Sequence, residues 1–403
     1  MTSDNRRSSL EAALAATPTG GTLEVRRDWR RTKPLEIHKP VTLLFVGGAI
    51  TQTTDANAID VASSDVTIEN AVLTGVGSTE AGLGQGISAV GTSGAPIDRL
   101  RILGGVIQGW RKDAVFLNQV TNFQVSGVMA RSVAYAGIMV LSGRQGTILK
   151  NTVRDVTQPP GFVNSYGIAM TRDRTLSLIE APRTSGVVVD GNTIDGVRSW
   201  EGIDTHGGTQ LTISNNRVTD TRVGIAMVPC PDERKVGMYA PRGITVTENY
   251  IRSSLTDGTR KAGIELVGTR TEDANAVIAN NMIVGNGPTE AAGSAGGIVA
   301  YFTRDAVISH NRIVDPGVAG VHLVSGNSNI TILKNTVVAA WTDPGETTAL
   351  LWVNGTSNTV NFGGNRFEAG GKIAADVDRY GVDALSSRTN VITDLGGNSL
   401  GNS

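Results

Sequence analysis

From about residue 58 the chain alternates short apolar stretches with polar breaks, and one unit recurs. A Gly-Ile-x-apolar run is followed by a polar turn, an Ile-x-Ile-like run, and an Asn with Val or Ile within two residues or so. The first element stands at Gly86-Ile87, Gly137-Ile138, Gly167-Ile168, Gly202-Ile203, Gly224-Ile225, Gly263-Ile264, Gly297-Ile298 and Gly320-Val321. The second ends on Asn70, Asn151, Asn192, Asn216, Asn249, Asn281, Asn311, Asn335 and Asn365, spaced 24 to 33 residues apart from Asn192 onward. Strands this short cannot bury a face alone, but stacked as coils they form one column of inward Ile and Val. The Asn suits a tight bend, where it tolerates a left-handed backbone and bonds to its counterparts in adjacent coils.

Residues 8–17 have helical spacing and a Ser8-x-x-Glu11 start suited to an N-cap, and the runs 22–25, 35–37 and 41–45 read as strands. The expected fold is all-β: a single-stranded right-handed parallel β-helix of about eleven coils with an N-terminal α-helical cap. The expected organisation is a cap segment over 1–22, the β-helix over 23–368, and an irregular C-terminal coil or cap over 369–403.

One repeat departs from the pattern. In Trp200-Glu201-Gly202-Ile203-Asp204-Thr205-His206, an acid and a histidine stand where other repeats carry Ala, Met, Ser or Val. With Ile203 in the core, period two sends Thr205 inward and Asp204 and His206 outward. The outward column at Asp204 reads Ser88, Met139, Ala169, Asp204, Ala226, Glu265, Val299, His322. Asp204 and Glu265 then lie two coils apart, roughly 9–10 Å between backbones, near the ~6.5–9.5 Å carboxyl separation of an inverting glycosidase. His322 is four coils from Asp204, roughly 19 Å, too far to act with it. His310, beside Asn311, reads as structural. In a hydrolase Asp204 or Glu201 would activate water and Glu265 protonate the leaving oxygen. In a lyase His206 or Tyr239 would take the proton. The Asp204 carboxylate would favour charged His206.

The long segments 171–185 and 228–242 would wall a groove beside these residues. They bring Arg172, Lys235, Tyr239 and Arg242 as substrate-binding candidates, and Trp200 and Tyr301 offer faces for sugar rings. Arg260, Lys261 and Arg270 could pair with Glu265 as surface ions.

Composition narrows the classes. A net charge of −1 argues against nucleic acid as partner, and the 50 glycines show no collagen period. The one cysteine, Cys230, excludes an intrachain disulfide. The first residues do not resemble a signal peptide, and no apolar run approaches the ~18 residues of a membrane span, so no membrane partner is expected. No cofactor is indicated. Calcium would need several converging oxygens, of which Asp204 and Glu201 supply two, and no residue spacing marks another metal.

The Ala-rich first helix, Gly20-Gly21-Thr22-Leu23-Glu24-Val25, the strand His38-Lys39-Pro40-Val41-Thr42-Leu43, and the Gly-Ile/Asn coils together resemble the pectate-lyase-like β-helix superfamily over about residues 8 to 370. That superfamily holds lyases, hydrolases, epimerases, transferases and phage tailspike depolymerases. The resemblance implies a polysaccharide or oligosaccharide as partner, an extracellular or virion-associated setting, and allows a homotrimer, although no coiled-coil heptads mark one. Gly202-Ile203-Asp204-Thr205-His206 also resembles the Gly-Phe-Asp-Pro-His core of mannuronan C5-epimerases, in which the Asp and His help remove and return a proton α to a uronate carboxylate. The leading expectation is cleavage of a polysaccharide, hydrolysis ahead of β-elimination. Uronate epimerisation and non-catalytic glycan binding, as in an adhesin or phage tail protein, are the alternatives.

Overall fold

A computed structural model of the chain describes residues 9–234, 237–255, 261–285, 295–317, 319–339, 349–353, 355–369, 382–384 and 389–402. The chain divides into two compact units, residues 1–199 and 200–403. Each is a stack of parallel strands, and the fold is a right-handed parallel β-helix with one small helix near the N-terminus.

In the first unit, α1 (Leu10–Ala16) buries Leu10, Ala13 and Leu14. Its N-cap is Ser9, whose hydroxyl accepts from the Ala12 N–H at 3.1 Å, one residue later than the pattern predicts. Glu11 does not close a capping box and instead pairs with Arg31. At the other end Lys39 Nζ donates to the carbonyls of Ala15 and Thr17, satisfying orphan acceptors of the last turn. Six strands form one sheet of this unit: β1 (Leu35–Ile37), β2 (Ile59–Val61), β3 (Ile87–Val90), β4 (Asp113–Asn118), β5 (Ala136–Leu141) and β6 (Tyr166–Thr171). Each pairs in parallel with the next.

The corresponding sheet of the second unit has β7 (Glu201–His206), β8 (Val223–Val228), β9 (Ala262–Val267), β10 (Gly296–Tyr301), β11 (Ala319–Leu323), β12 (Ala349–Val353) and β13 (Val382–Ala384), again parallel and sequential. Among the described residues this makes six and seven such strands. Coils beyond the expected eleven or so arise where Gly-Ile is replaced, as in Leu35–Ile37, Ile59–Val61, Ala114-Val115 and Leu350-Leu351. The C-terminal segment is more regular than expected. Val391–Gly396 and Ser399–Asn402 pair in parallel with Thr359–Gly363 and Arg366–Ala369, adding strands to the stack. No described helix is long and apolar enough to cross a membrane.

The Gly of each Gly-Ile pair has a steric reason. A Cβ on Gly202 would lie 2.4 Å from Val218 Cγ1, and one on Gly263 would lie 2.4 Å from Ile283 Cγ2. Both neighbours are fully buried core side chains. The chain turns a corner at this glycine, so the residue before it faces outward, and the alternation restarts at the Ile.

The repeated asparagines divide the work expected of them between two neighbours. The left-handed residue is the one before each ladder Asn: Asn215, Glu248, Asn280, His310 and Lys334 have φ between 53° and 58°. His310 thus serves the bend. The ladder asparagines themselves point inward. From Asn216 through Asn249, Asn281, Asn311, Asn335 and Asn365, each backbone N–H and each Nδ2 donates to Oδ1 of the next at 2.9–3.1 Å. Asn70, by contrast, is itself left-handed at φ 54°.

Asn281 also donates to the carbonyls of Val246 and Ala279. Replacing it by Ala leaves several buried donors and acceptors bare, each costing about 1–3 kcal/mol. Asn281→Ala should therefore lower the denaturant midpoint sharply, by far more than Asn215→Ala at the exposed bend two coils before.

Candidate active site

The outward columns of the second unit follow from register. One column runs Asp204, Ala226, Glu265, Val299, His322, Trp352. A second, set before the corner glycine, begins Glu201, Val223, Ala262 and Gly296. Asp204 and Glu265 are two strands apart, as expected. Trp352 was missed because Leu350-Leu351 replaces Gly-Ile.

Burial is where the structure departs from expectation. Asp204 faces away from the core, yet is fully buried, and Glu201 and Glu265 are 7% and 6% exposed. Ala226 and Val299, their neighbours in the column, belong to an apolar cluster with Val223 and Ala262. The carboxyl groups are thus set in apolar surroundings outside the main core, and do not line an open groove.

That setting dictates their charge. Burial pushes the Asp204 pKa well above the ordinary carboxyl value, and the Glu265 charge adds to the shift. Glu201 is pushed up to about 10, by burial first and then by Asp204 and Glu265, against a lowering by Lys261. Among the described residues neither oxygen of Asp204 has a hydrogen-bond partner, nor does Oε2 of Glu201. Glu265 differs: Lys261 Nζ sits 2.8 and 3.1 Å from its two oxygens, a two-point ion pair.

His206, 27% exposed at its side chain, connects the group to solvent. Its Nδ1 lies 3.3 Å from the Pro229 carbonyl, which can only accept, so Nδ1 carries the hydrogen. Nε2 lies 3.3 Å from Asp204 Oδ2, close but off the hydrogen-bond line. Because burial raises the Asp204 pKa, the carboxylate charge on which the expected carboxylate–imidazolium pair relies is disfavoured.

The other candidates are more dispersed. The indole of Trp200, just before β7, is covered by the Arg222 guanidinium at 4.5 Å. Tyr301 ends β10 on the outward face, packed against Phe302 with centroids 4.1 Å apart. Tyr239 pairs with Cys230 in a two-stranded antiparallel hairpin. Arg242 Nε lies 3.3 Å from Glu272 Oε1 and 3.3 Å from the Asp273 carbonyl. Lys235 lies outside the described residues. Arg172, in the first unit, is 3% exposed and its guanidinium donates to the Leu176 and Ala181 carbonyls. It holds its own loop together, which corrects its reading as a substrate clamp. The first unit has its own buried acid, Asp113, which accepts from Gln85 at 2.8 Å and is pushed up to about 7 by burial. The repeat pattern gave no sign of it, because Ala114-Val115 replaces Gly-Ile. A cavity of about 510 Å³ beside α1, lined by Glu11, Leu14, Lys33, His38 and Lys39 among others, holds none of the candidate residues.

A carboxyl whose folded pKa lies above its unfolded value keeps its proton in the folded chain after the unfolded chain has lost it. For Glu201 the resulting loss of stability develops as pH rises from the ordinary 4.5 toward about 10. The Asp204 contribution has the same sign. The chain should melt higher at mildly acidic than at neutral pH. Asp204→Asn and Glu201→Gln should each raise the melting temperature at neutral pH by a few degrees and flatten that slope, as thermal scans across pH would read.

Residues 163–372, more than half the chain, match the family model described as periplasmic copper-binding protein (NosD). Residues 55–229 match the model of a right-handed β-helix region. None of the curated proteins compared matches the chain. Among solved structures, the catalytic unit of a thermostable GH87 α-1,3-glucanase from Streptomyces thermodiastaticus is 16% identical with a TM-score of 0.60, covering 96% of this chain and 65% of that one. A tailspike protein of E. coli bacteriophage HK620, solved with a pentasaccharide, is 13% identical with a TM-score of 0.55, covering 95% of this chain and 60% of that one. The chain thus spans less than two thirds of either neighbour, and at such identities the likeness is one of fold. By the family match and by its architecture, the chain belongs to the NosD family of right-handed β-helix proteins.

Proposed function

We propose that the second unit is a carbohydrate-active enzyme that cleaves a polysaccharide by acid/base chemistry, and that the reaction is glycosidic hydrolysis. The observation that carries this reading is the split between carboxyl environments: Asp204 and Glu201 buried without hydrogen-bond partners for their bare oxygens, Glu265 held in an ion pair by Lys261. Carboxyl groups held in such unlike environments are candidates for the acid and the base of a reaction. Asp204, held protonated by burial, is the source of the proton that reaches the leaving glycosidic oxygen through His206, the exposed member of the group. Glu265 takes a proton from the attacking water. His206 passes a proton from solvent to Asp204, and the Glu265 charge helps keep Asp204 protonated. This reverses the roles expected from sequence, where Glu265 was the acid. The two-strand spacing between Asp204 and Glu265 leaves room for a water, as inversion requires.

Hydrolysis is favoured over β-elimination and epimerisation because both of those need a cation to offset a uronate carboxylate. The described cations near these residues are engaged: Lys261 with Glu265, Arg222 with Trp200, Arg242 with Glu272. A protonated Asp204 also cannot act as the base of an epimerase. The glucanase and tailspike neighbours support glycan as the ligand of this fold. Copper, which the family description names, does not fit the donor set. Among the described residues no group of three or more His, Cys, Asp or Glu could hold a metal ion, and the single thiol, Cys230, is buried.

On a panel of neutral polysaccharides, the chain should release new reducing ends without ultraviolet-absorbing unsaturated products. Asp204→Asn and Glu265→Gln should each lower kcat by about 10²–10⁴, the usual worth of a positioned acid or base. Unsaturated products would replace hydrolysis by elimination, and full activity in both variants would remove these residues from the site.

A further inference from the structure

Two strands beyond Glu265 on the same outward column stands His322 on β11, and next to it Trp352 on β12. Their rings stack, with centroids 4.2 Å apart and planes 19° apart. His322 is fully buried and Trp352 is 9% exposed. His322 Nδ1 lies 2.9 Å from the Ala295 carbonyl. A carbonyl only accepts, so Nδ1 carries the hydrogen and Nε2 presents a lone pair. Burial keeps the ring uncharged, pushing its pKa down to about 4.

Among the described residues, neither His322 Nε2 nor the Trp352 indole N–H has a hydrogen-bond partner, and both atoms are buried. A bare acceptor and a bare donor in one ring stack each carry a desolvation cost of about 1–3 kcal/mol until something answers them. A hydroxyl answers both, since its oxygen accepts from the indole while its hydrogen goes to the imidazole. A carboxylate cannot donate to Nε2, and no acid shares the ring stack to hold a cation.

We propose that His322 and Trp352 form a subsite for a hydroxyl of a neutral sugar unit. Two strand spacings, roughly 10 Å, separate it from Glu265, so the sugar held there is not the one whose bond breaks. The subsite rests on the glycan reading above and gives it a substrate class: a neutral glycan long enough to reach from Asp204 toward Trp352.

The test titrates neutral hexasaccharides of glucose, mannose and N-acetylglucosamine, with hexagalacturonate as the acidic counterpart, into the Asp204→Asn chain, whose turnover is slowed by the factor given above. Calorimetry reads affinity. The ¹⁵N-resolved indole N–H signal of Trp352, assigned by its loss in Trp352→Phe, reads contact. The expected result is binding of a neutral hexasaccharide that shifts this signal and weakens about tenfold when Trp352→Phe is added, the order of one hydrogen bond. His322→Phe, which keeps a ring in the stack but removes Nε2, should weaken it similarly. Should that variant fail to fold, Trp352→Phe alone decides. An unmoved indole signal with unchanged affinity overturns the subsite, and includes the case in which water alone fills it. Tighter binding of hexagalacturonate overturns the neutral class. If the wild-type chain releases no reducing ends while Trp352→Phe still weakens binding, the hydrolase reading fails and the subsite stands. If no glycan binds, both fail.

Discussion

The register held by the buried asparagine ladder is the constraint on which the outer face of the second unit depends. Each ladder residue joins its neighbour through two hydrogen bonds, one from the backbone and one from the side chain, both ending on the same Oδ1. A slip of one residue would place a different side chain in that buried row and leave amides unanswered. The ladder therefore fixes more than the bend it occupies. Through the short strands it pins which residue of each coil faces outward, and so brings Asp204, Glu265, His322 and Trp352 into one column from positions far apart in sequence.

In that column, and at Glu201 on the column beside it, the dominant physical effect is desolvation. Two carboxyl groups close to each other in apolar surroundings cannot both ionise. They hold their protons where an exposed pair would lose them. This costs the folded chain stability at neutral pH, a trade seen where a site is arranged for chemistry at the expense of the fold. Lys261 limits the cost at Glu265, leaving the group with unlike carboxyls. The outward face of this sheet thus carries a second apolar layer, where each charge acts more strongly than in water.

Much of the fold was legible because its signals are local and repeated. Gly-Ile and Asn recur at coil spacing, and period two correctly placed Ile203 and Thr205 inward and Asp204 and Glu265 on one column. Coils without the Gly-Ile pair were legible only by analogy, so Phe116, which stands between Ser88 and Met139, and Trp352 escaped their columns. Burial of Asp204 was not legible at all. Alternation tells which way a side chain leaves the strand, but not whether apolar neighbours close over it. The same gap explains Arg172, whose charge suggested a ligand clamp while its loop supplied two carbonyls for the guanidinium. Lys261 was visible as one of three cations near Glu265, but only the corner at Gly263 brings its ammonium onto both oxygens.

The family and the site speak to different questions. The NosD match and the structural neighbours rest on the coil pattern, which any occupant of the outward columns would satisfy equally well. Copper would call for converging imidazoles or thiolates, and this chain spends its histidines otherwise. His310 serves a left-handed bend, His322 stacks on Trp352, His38 pairs with Glu36 at the surface, and His206 alone meets a carboxyl group of the buried cluster. A single imidazole beside one buried carboxyl is too small a donor set to cage a metal. What distinguishes this chain on a shared scaffold is thus the replacement of small outward residues along one column by Asp204, by Glu265 in its ion pair with Lys261 and by a stacked imidazole–indole pair, with Glu201 on the column beside it.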